Sequence, residues 1–507
     1  MTSTEPGVRI APSPFARDVL LSGATAMLTA ASGVLVTGWL AAALGPVAFA
    51  VYALARRISS AASAISPGPL PLGLARALAA APDSRARDAY LWAGTLLAIG
   101  PALAMVVIGA AFPAFWADLL LSDARYVPEL LAVLGLIVGN VVYSLVFARQ
   151  RGTSRIRSAN VWQLWVLAIG PLLVVRLLAG RASVATILML MAALSLTSSL
   201  PLVAWLVRAA RSGTRGADLR PPVLALFRYS APRVPGAAAL ACLLSLGPLL
   251  APYLGDLRGA GYLVAGQSVF RVAELGTAGF GLVVLPRVSA LVAGQRDQFL
   301  RERVEDLLGL VLHLGIFTAC QLAIWAPEIV QVWLGSAYQE ALPMIRVLLI
   351  ALVPYLGYTL LRSVIDGMDD RPVNTWNVYG ALACTAALSL VFGLSGLGTL
   401  GLAIATAIGF VVLGALTFRF LRQSLRIEGE HIHVVAAVVL NLAAALVALL
   451  GRSALLGRLG PAGLLVTGAA VSAICLAAYL LVLRRLEVRW LVEIEARLLH
   501  RPGSSGR

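Results

Sequence analysis

Residues 19–60 read VLLSGATAMLTAASGVLVTGWLAAALGPVAFAVYALARRISS. No ionisable side chain interrupts the run from Val19 to Leu44, and a helical membrane crossing uses about 20 apolar residues. This stretch therefore predicts a transmembrane helix. Gly45-Pro46 is a turn signal, after which a second apolar run begins and meets Arg56 and Arg57 about ten residues in. The same punctuation returns at Leu254-Gly255, with Tyr52 answered by Tyr262. A hairpin of membrane helices that recurs along a chain is the mark of an internal repeat.

The rest of the chain has the same character. Of 507 residues, 60% are apolar and 13% charged, and the mean hydropathy is +0.88, enough for roughly fourteen crossings of about 20 residues. No stretch of ordinary polarity is long enough for a soluble domain, and no GxxxxGK[ST] phosphate loop occurs. Those absences argue against ATP-driven pumps and against membrane enzymes built on large soluble loops. The net charge is +16, and all 40 basic residues are Arg. Cys242, Cys320, Cys384 and Cys475 are spaced for neither a disulfide framework nor a metal site, and read as small packing residues. The run after Arg17 is too long for a signal-peptide core, so the first span is expected to be an uncleaved anchor.

Hydropathy divides the chain into fourteen spans, from 19–44 and 47–74 through 261–285 for the eighth to 433–451 and 462–483 for the last two. One set of alternate connecting segments carries 29 Arg and the other only six, which by the positive-inside rule puts both termini in the cytoplasm. Matches at offsets of 210 to 214 keep a constant order: Arg17 with Arg228, Leu44-Gly45 with Leu254-Gly255, Tyr52 with Tyr262, Arg76 with Arg287, Pro113 with Pro327, Tyr126 with Tyr338, and Asn160-Trp162 with Asn374-Trp376. Six spans per repeat is an even number, so the halves share one orientation, as in parallel-repeat transporters. The predicted fold is an all-α polytopic membrane protein of about 14 transmembrane helices. Two parallel six-helix lobes are related by a pseudo-twofold axis, and two extra C-terminal helices follow. The expected divisions are a cytoplasmic N-terminus (1–18), an N-lobe (19–208), a cytoplasmic linker (209–229), a C-lobe (230–418), a loop (419–432), spans 13 and 14 (433–483) and an amphipathic cytoplasmic tail (484–507).

Ionisable groups inside a bilayer are costly and mark cavities or pairs. Arg56 and Arg57 in span two and Arg271 in span eight lie about 15 Å from their span ends, mid-depth in a ~30 Å hydrocarbon core. Spans two and eight are repeat equivalents, so the arginines are expected to face a shared, positively charged cavity. Planar multidentate guanidinium groups suit phosphate or pyrophosphate. Glu274, three positions after Arg271, is either a coupling group or that arginine's ion-pair partner. Asn160, Trp162, Asn374 and Trp376 are candidate sugar contacts, against the alternative that Trp marks the interface and Asn caps helices. His431 and His433 lack a third ligand, and His313 reads as a satisfied span residue.

On these residues the chain resembles the polysaccharide-transporter branch of the multidrug/oligosaccharidyl-lipid/polysaccharide exporter superfamily, the lipid-linked oligosaccharide flippases. The resemblance is carried by Leu44-Gly45-Pro46 with Phe49, Tyr52 and Leu54. It is carried further by Trp333-Leu334-Gly335-Ser336-Ala337-Tyr338 with Ala341-Leu342-Pro343 and Leu348, and by Leu361-Arg362-Ser363 with Asp366-Gly367 before Arg371-Pro372-Val373-Asn374. It implies a transporter that moves an undecaprenyl-pyrophosphate-linked oligosaccharide across the bacterial cytoplasmic membrane by alternating access, for surface polysaccharide synthesis. The implied partners are the lipid-linked substrate, membrane lipids, H+ or Na+ as coupling ion and polysaccharide assembly proteins. A monomer is expected, with no cofactor and no nucleic acid. The alternatives are a lipid II flippase, in which two extra C-terminal spans would hold the lipid tail, and a cation-coupled drug exporter. The second would want buried carboxylates in the N-lobe, where none is mid-span.

Overall fold

A main chain in hydrocarbon finds no water to bond, so each crossing must close its own hydrogen bonds. The computed structural model describes residues 14–66, 68–211, 218–275, 297–368, 371–427 and 433–486 with Val488 and Leu491. Among them the regular structure is helical, save one isolated bridge between Leu456 and Leu459. In chain order the helices are α1 (Pro14–Ile65), α2 (Leu70–Ala80), α3 (Ser84–Ala111), α4 (Pro113–Leu121), α5 (Val127–Gly152), α6 (Ile156–Leu164), α7 (Gly170–Leu178), α8 (Val184–Leu196), α9 (Ser199–Arg211) and α10 (Arg220–Ser230). They continue as α11 (Val234–Leu250), α12 (Leu257–Leu275), α13 (Asp297–Ile324), α14 (Ala326–Trp333), α15 (Leu342–Ile350), α16 (Leu352–Met368), α17 (Val373–Leu394), α18 (Gly398–Leu425), α19 (Val434–Leu455) and α20 (Pro461–Arg485).

α1 contains two crossings. Its stretch Leu21–Ile65 has 45 residues, about 68 Å of helix against a ~30 Å core. Gly45, at φ 72° and ψ 172°, breaks the helix in a region that only glycine enters freely, and Pro46 withdraws an N–H at the same point. Gly33 and Ser60 line one small cavity, although a straight rod would hold them ~40 Å apart. The chain therefore doubles back at Gly45.

Among the described residues, eleven helical stretches are long and apolar enough to span a membrane, and twelve if Ser336–Ile350 and Leu352–Met368, bent by 44°, form one span. Splitting α1 at Gly45 and adding the 19-residue α12 brings the crossings to fourteen. The repeat is visible in the element order. Gly45 and Gly255 both have positive φ, 72° and 77°. The long helices α3 and α13 each lead into a short helix with Pro at its start, α4 and α14. A 3-10 turn ending at Tyr126 and another containing Tyr338 then precede α5 and α15.

The lobes meet along α1, which packs on α11 and α12. Gly261 makes the approach close: a Cβ there would lie 2.5 Å from the Pro46 carbonyl oxygen. α19 and α20 pack on α13 and α14. Glu328, buried on α14, holds Arg452 of α19 at 2.8 Å. Deeper in, the Tyr479 hydroxyl bonds His313 Nδ1 at 2.7 Å and accepts from Asn441 Nδ2 at 3.1 Å. His313 is thus a satisfied span residue.

Several boundaries differ from those hydropathy implies. The second crossing ends at Ile65 rather than near 74, and 70–80 forms the separate helix α2. α18 runs to Leu425, past the expected end at 418, and residues 220–230 of the linker form α10. Apolar runs mark the hydrocarbon, whereas helices continue into water wherever Arg-bearing turns such as Arg419 and Arg422 can be solvated. Most of the tail 484–507 lies outside the described residues, as do His431 and parts of the linker (212–217) and of the loop (428–432). Val488 and Leu491 are buried against Phe317 and Tyr479.

Candidate substrate cavity

A cavity of about 240 Å³ lies between the lobes, lined by both arms of α1, by α11 and α12, and by Leu167, Pro171 and Met191. Its polar lining comes from Thr37, Arg56, Arg57 and Ser60 on the N-lobe and from Ser245, Gln267 and Ser268 on the C-lobe. Among the described residues, no carboxylate lines the cavity. Two guanidinium groups give this lining positive charge, and low-dielectric surroundings strengthen their field.

The two arginines are used differently. Arg57 reaches across the lobe boundary, and its Nη1 donates to the Leu244 carbonyl. That carbonyl is available because Pro248, four residues on in α11, has no N–H to return to it. Arg56 lies half-buried on the cavity wall; its carbonyl accepts from the Ser59 and Ser60 hydroxyls, while its guanidinium has no partner among the described residues.

A reciprocal contact comes from the other lobe. Trp333 Nε1 donates to the Val34 carbonyl at 3.0 Å, and Val34 precedes Leu244 by the repeat offset of 210. Each lobe therefore places a side-chain donor on the same carbonyl position of the other. Gly38 permits this, because a Cβ there would collide with the Trp333 indole. The lobes also touch at the opposite end of the cavity, where a Cβ on Gly68 would lie 2.5 Å from Val234 Cγ2. The cavity falls below the ~300–1,000 Å³ of typical ligand pockets, so this is a constricted arrangement. A saccharide headgroup enters only if the lobes part.

Arg56 and Arg57 thus lie together at the lobe interface. The side chains of Arg271 and Glu274 lie outside the described residues, although α12 carries both positions. The four candidate sugar contacts are not brought to this cavity. Asn160 is buried beside Ser22, 3.5 Å from its hydroxyl, and Asn374 donates to Asp366 at 2.7 Å and to the Arg362 carbonyl at 2.9 Å. Trp162 is half-buried on α6, and Trp376 is 67% exposed near the start of α17. Gln267 escaped the sequence reading. It is the repeat counterpart of Arg57 at the offset of 210 that pairs Tyr52 with Tyr262. A search of that register for polar residues would have found it, whereas a search for charge does not. Among the described residues no group of three His, Cys, Asp or Glu is placed to hold a metal.

Residues 274–469 match the family model described as lipid II flippase MurJ, less than half of the chain. No curated protein matches the chain in sequence. Among solved structures, "Lipid II flippase MurJ, inward closed conformation" superposes with a TM-score of 0.66 at 13% identity, covering 93% of this chain and 100% of that one. An inward-facing multidrug resistance MATE family transporter of the MOP superfamily superposes with a TM-score of 0.66 at 13% identity, over 80% of this chain and 98% of that one. A MATE crystal structure in complex with MaL6 gives 0.57 at 14% identity, over 83% and 99%. The chain is a polytopic membrane protein with the fold that MurJ and the MATE transporters share.

Proposed function

We propose that the chain is a bacterial flippase for a lipid-linked, pyrophosphate-bearing glycan. The lobes 19–208 and 230–418 would rock about the α1/α11/α12 interface to expose the cavity to either side of the membrane in turn. The observation that carries this reading is Arg56, a guanidinium in an inter-lobe cavity with no carboxylate among its described lining residues. A half-buried guanidinium with no anion beside it among the described residues is suited to an anionic ligand. A pyrophosphate held by Arg56 and Arg57 supplies that counter-charge, with Arg271, one turn past Gln267 on α12, at the end of the headgroup nearer the C-lobe.

Lipid II is the cargo best supported. The matched family model is that of a lipid II flippase, and the MurJ structure accounts for more of this chain, 93%, than the MATE structure does, 80%. The polysaccharide-precursor reading rests on Leu44-Gly45-Pro46, Trp333–Tyr338 and the residues around Asp366. It differs in the glycan carried, not in the anion bound. A cation exporter is disfavoured by the cavity's charge. The deciding experiment is translocation of fluorescent lipid II in proteoliposomes, with an undecaprenyl-pyrophosphate-linked polysaccharide repeat unit compared in parallel. The proposal requires flux of at least one of these lipids above that of empty vesicles.

A further inference from the structure

We propose that Gln267 is a specificity-determining residue of the central cavity, hydrogen-bonding an uncharged sugar hydroxyl or acylamino group of the cargo while the arginines hold its pyrophosphate. The inference rests on the flippase reading and deepens it. Gln267 lies on α12, 5% exposed, and lines the cavity. Among the described residues, neither its amide oxygen nor its amide nitrogen has a hydrogen-bond partner. Leaving a buried amide unpaired is costly, and apolar side chains of similar volume serve a core better. An amide kept there is suited to a visiting ligand, with water as its partner between visits.

Its position indicates which part of the cargo it meets. Arg57 and Gln267 occupy the same register of the two repeats, so the lobes present different chemistry to one cavity. The described N-lobe lining carries both cations, Arg56 and Arg57, whereas the described C-lobe lining is neutral, with Ser245, Gln267 and Ser268. A pyrophosphate is drawn to the arginine side, and the sugar joined to it then falls against the amide. An amide offers two donors and an acceptor, the complement of a hydroxyl or acylamino group, and discriminates strongly against a ligand that lacks them.

The test compares two lipids, undecaprenyl pyrophosphate and undecaprenyl-pyrophosphate N-acetylhexosamine, titrated against the purified full chain in nanodiscs. Gln267→Met, nearly isosteric and without hydrogen-bonding atoms, is expected to weaken the sugar-bearing lipid about tenfold and the bare pyrophosphate by less than twofold, since one to two lost hydrogen bonds correspond to about a factor of ten. Gln267→Asn, which keeps the amide but shortens its reach, is expected to fall between wild type and Gln267→Met, and serves if the Met variant does not fold. Equal losses for both lipids, or no loss for either, would overturn the assignment. If the wild-type chain binds neither lipid, the flippase reading itself fails, an outcome distinct from loss of discrimination alone.

Discussion

Arg57, in the second crossing, donates to the Leu244 carbonyl of the opposite lobe, the carbonyl that Pro248 leaves without its helical N–H. This makes the pair testable by a double-mutant cycle. Arg57→Ala should destabilise the protein by about 1–3 kcal/mol, the cost of a buried acceptor left unmade. In a Pro248→Ala background an N–H is restored four residues on, and the same Arg57→Ala change should cost clearly less. Thermal unfolding of the four proteins in detergent measures the coupling, and additive effects would show that the carbonyl has no need of the guanidinium.

The reciprocal contact has its own signature. A side chain at Gly38 would displace the Trp333 indole, so Gly38→Leu should break the bond to the Val34 carbonyl and part the lobes at the Gly45 end. Distances between spin labels on α4 and α12 should lengthen or broaden. Trp333→Phe keeps the bulk and loses only the N–H, and should shift them far less.

The extra helices α19 and α20 are pinned at one end by Glu328 and Arg452, 2.8 Å apart with the carboxylate only 6% exposed. Removing one member of a buried pair costs about 3–5 kcal/mol, whereas removing both is often tolerated. Glu328→Ala should therefore lower the unfolding temperature more than Glu328→Ala with Arg452→Met. Differential scanning fluorimetry of the single and double variants checks the order.

Much of this fold was readable from residues 19–60 and their echo. Leu44-Gly45 and Leu254-Gly255 announced the repeat, and both glycines adopt positive φ. Pro113 with Pro327 and Tyr126 with Tyr338 marked connecting elements that do recur. Position along the span was also legible, and Arg56 and Arg57 do line the cavity. The direction a side chain faces was not. Trp376 lies at a suitable register for a sugar contact yet points outward, because a span that is apolar all round gives no amphipathic stripe to orient it. Gln267 was hidden for a related reason. One uncharged amide barely changes hydropathy, and only three-dimensional packing shows that it is buried without a partner among the described residues.

The most direct test of the central claim is the rate at which lipid II crosses proteoliposome membranes containing wild-type protein or Arg56→Gln. Glutamine keeps a hydrogen-bonding amide while removing the charge, and the Arg56 guanidinium has no partner among the described residues whose loss would unfold the chain. The account predicts a flux at least tenfold lower in Arg56→Gln, with folding and insertion unchanged. Undiminished flux would contradict it, since the cavity would then have no need of the positive charge that identifies its cargo.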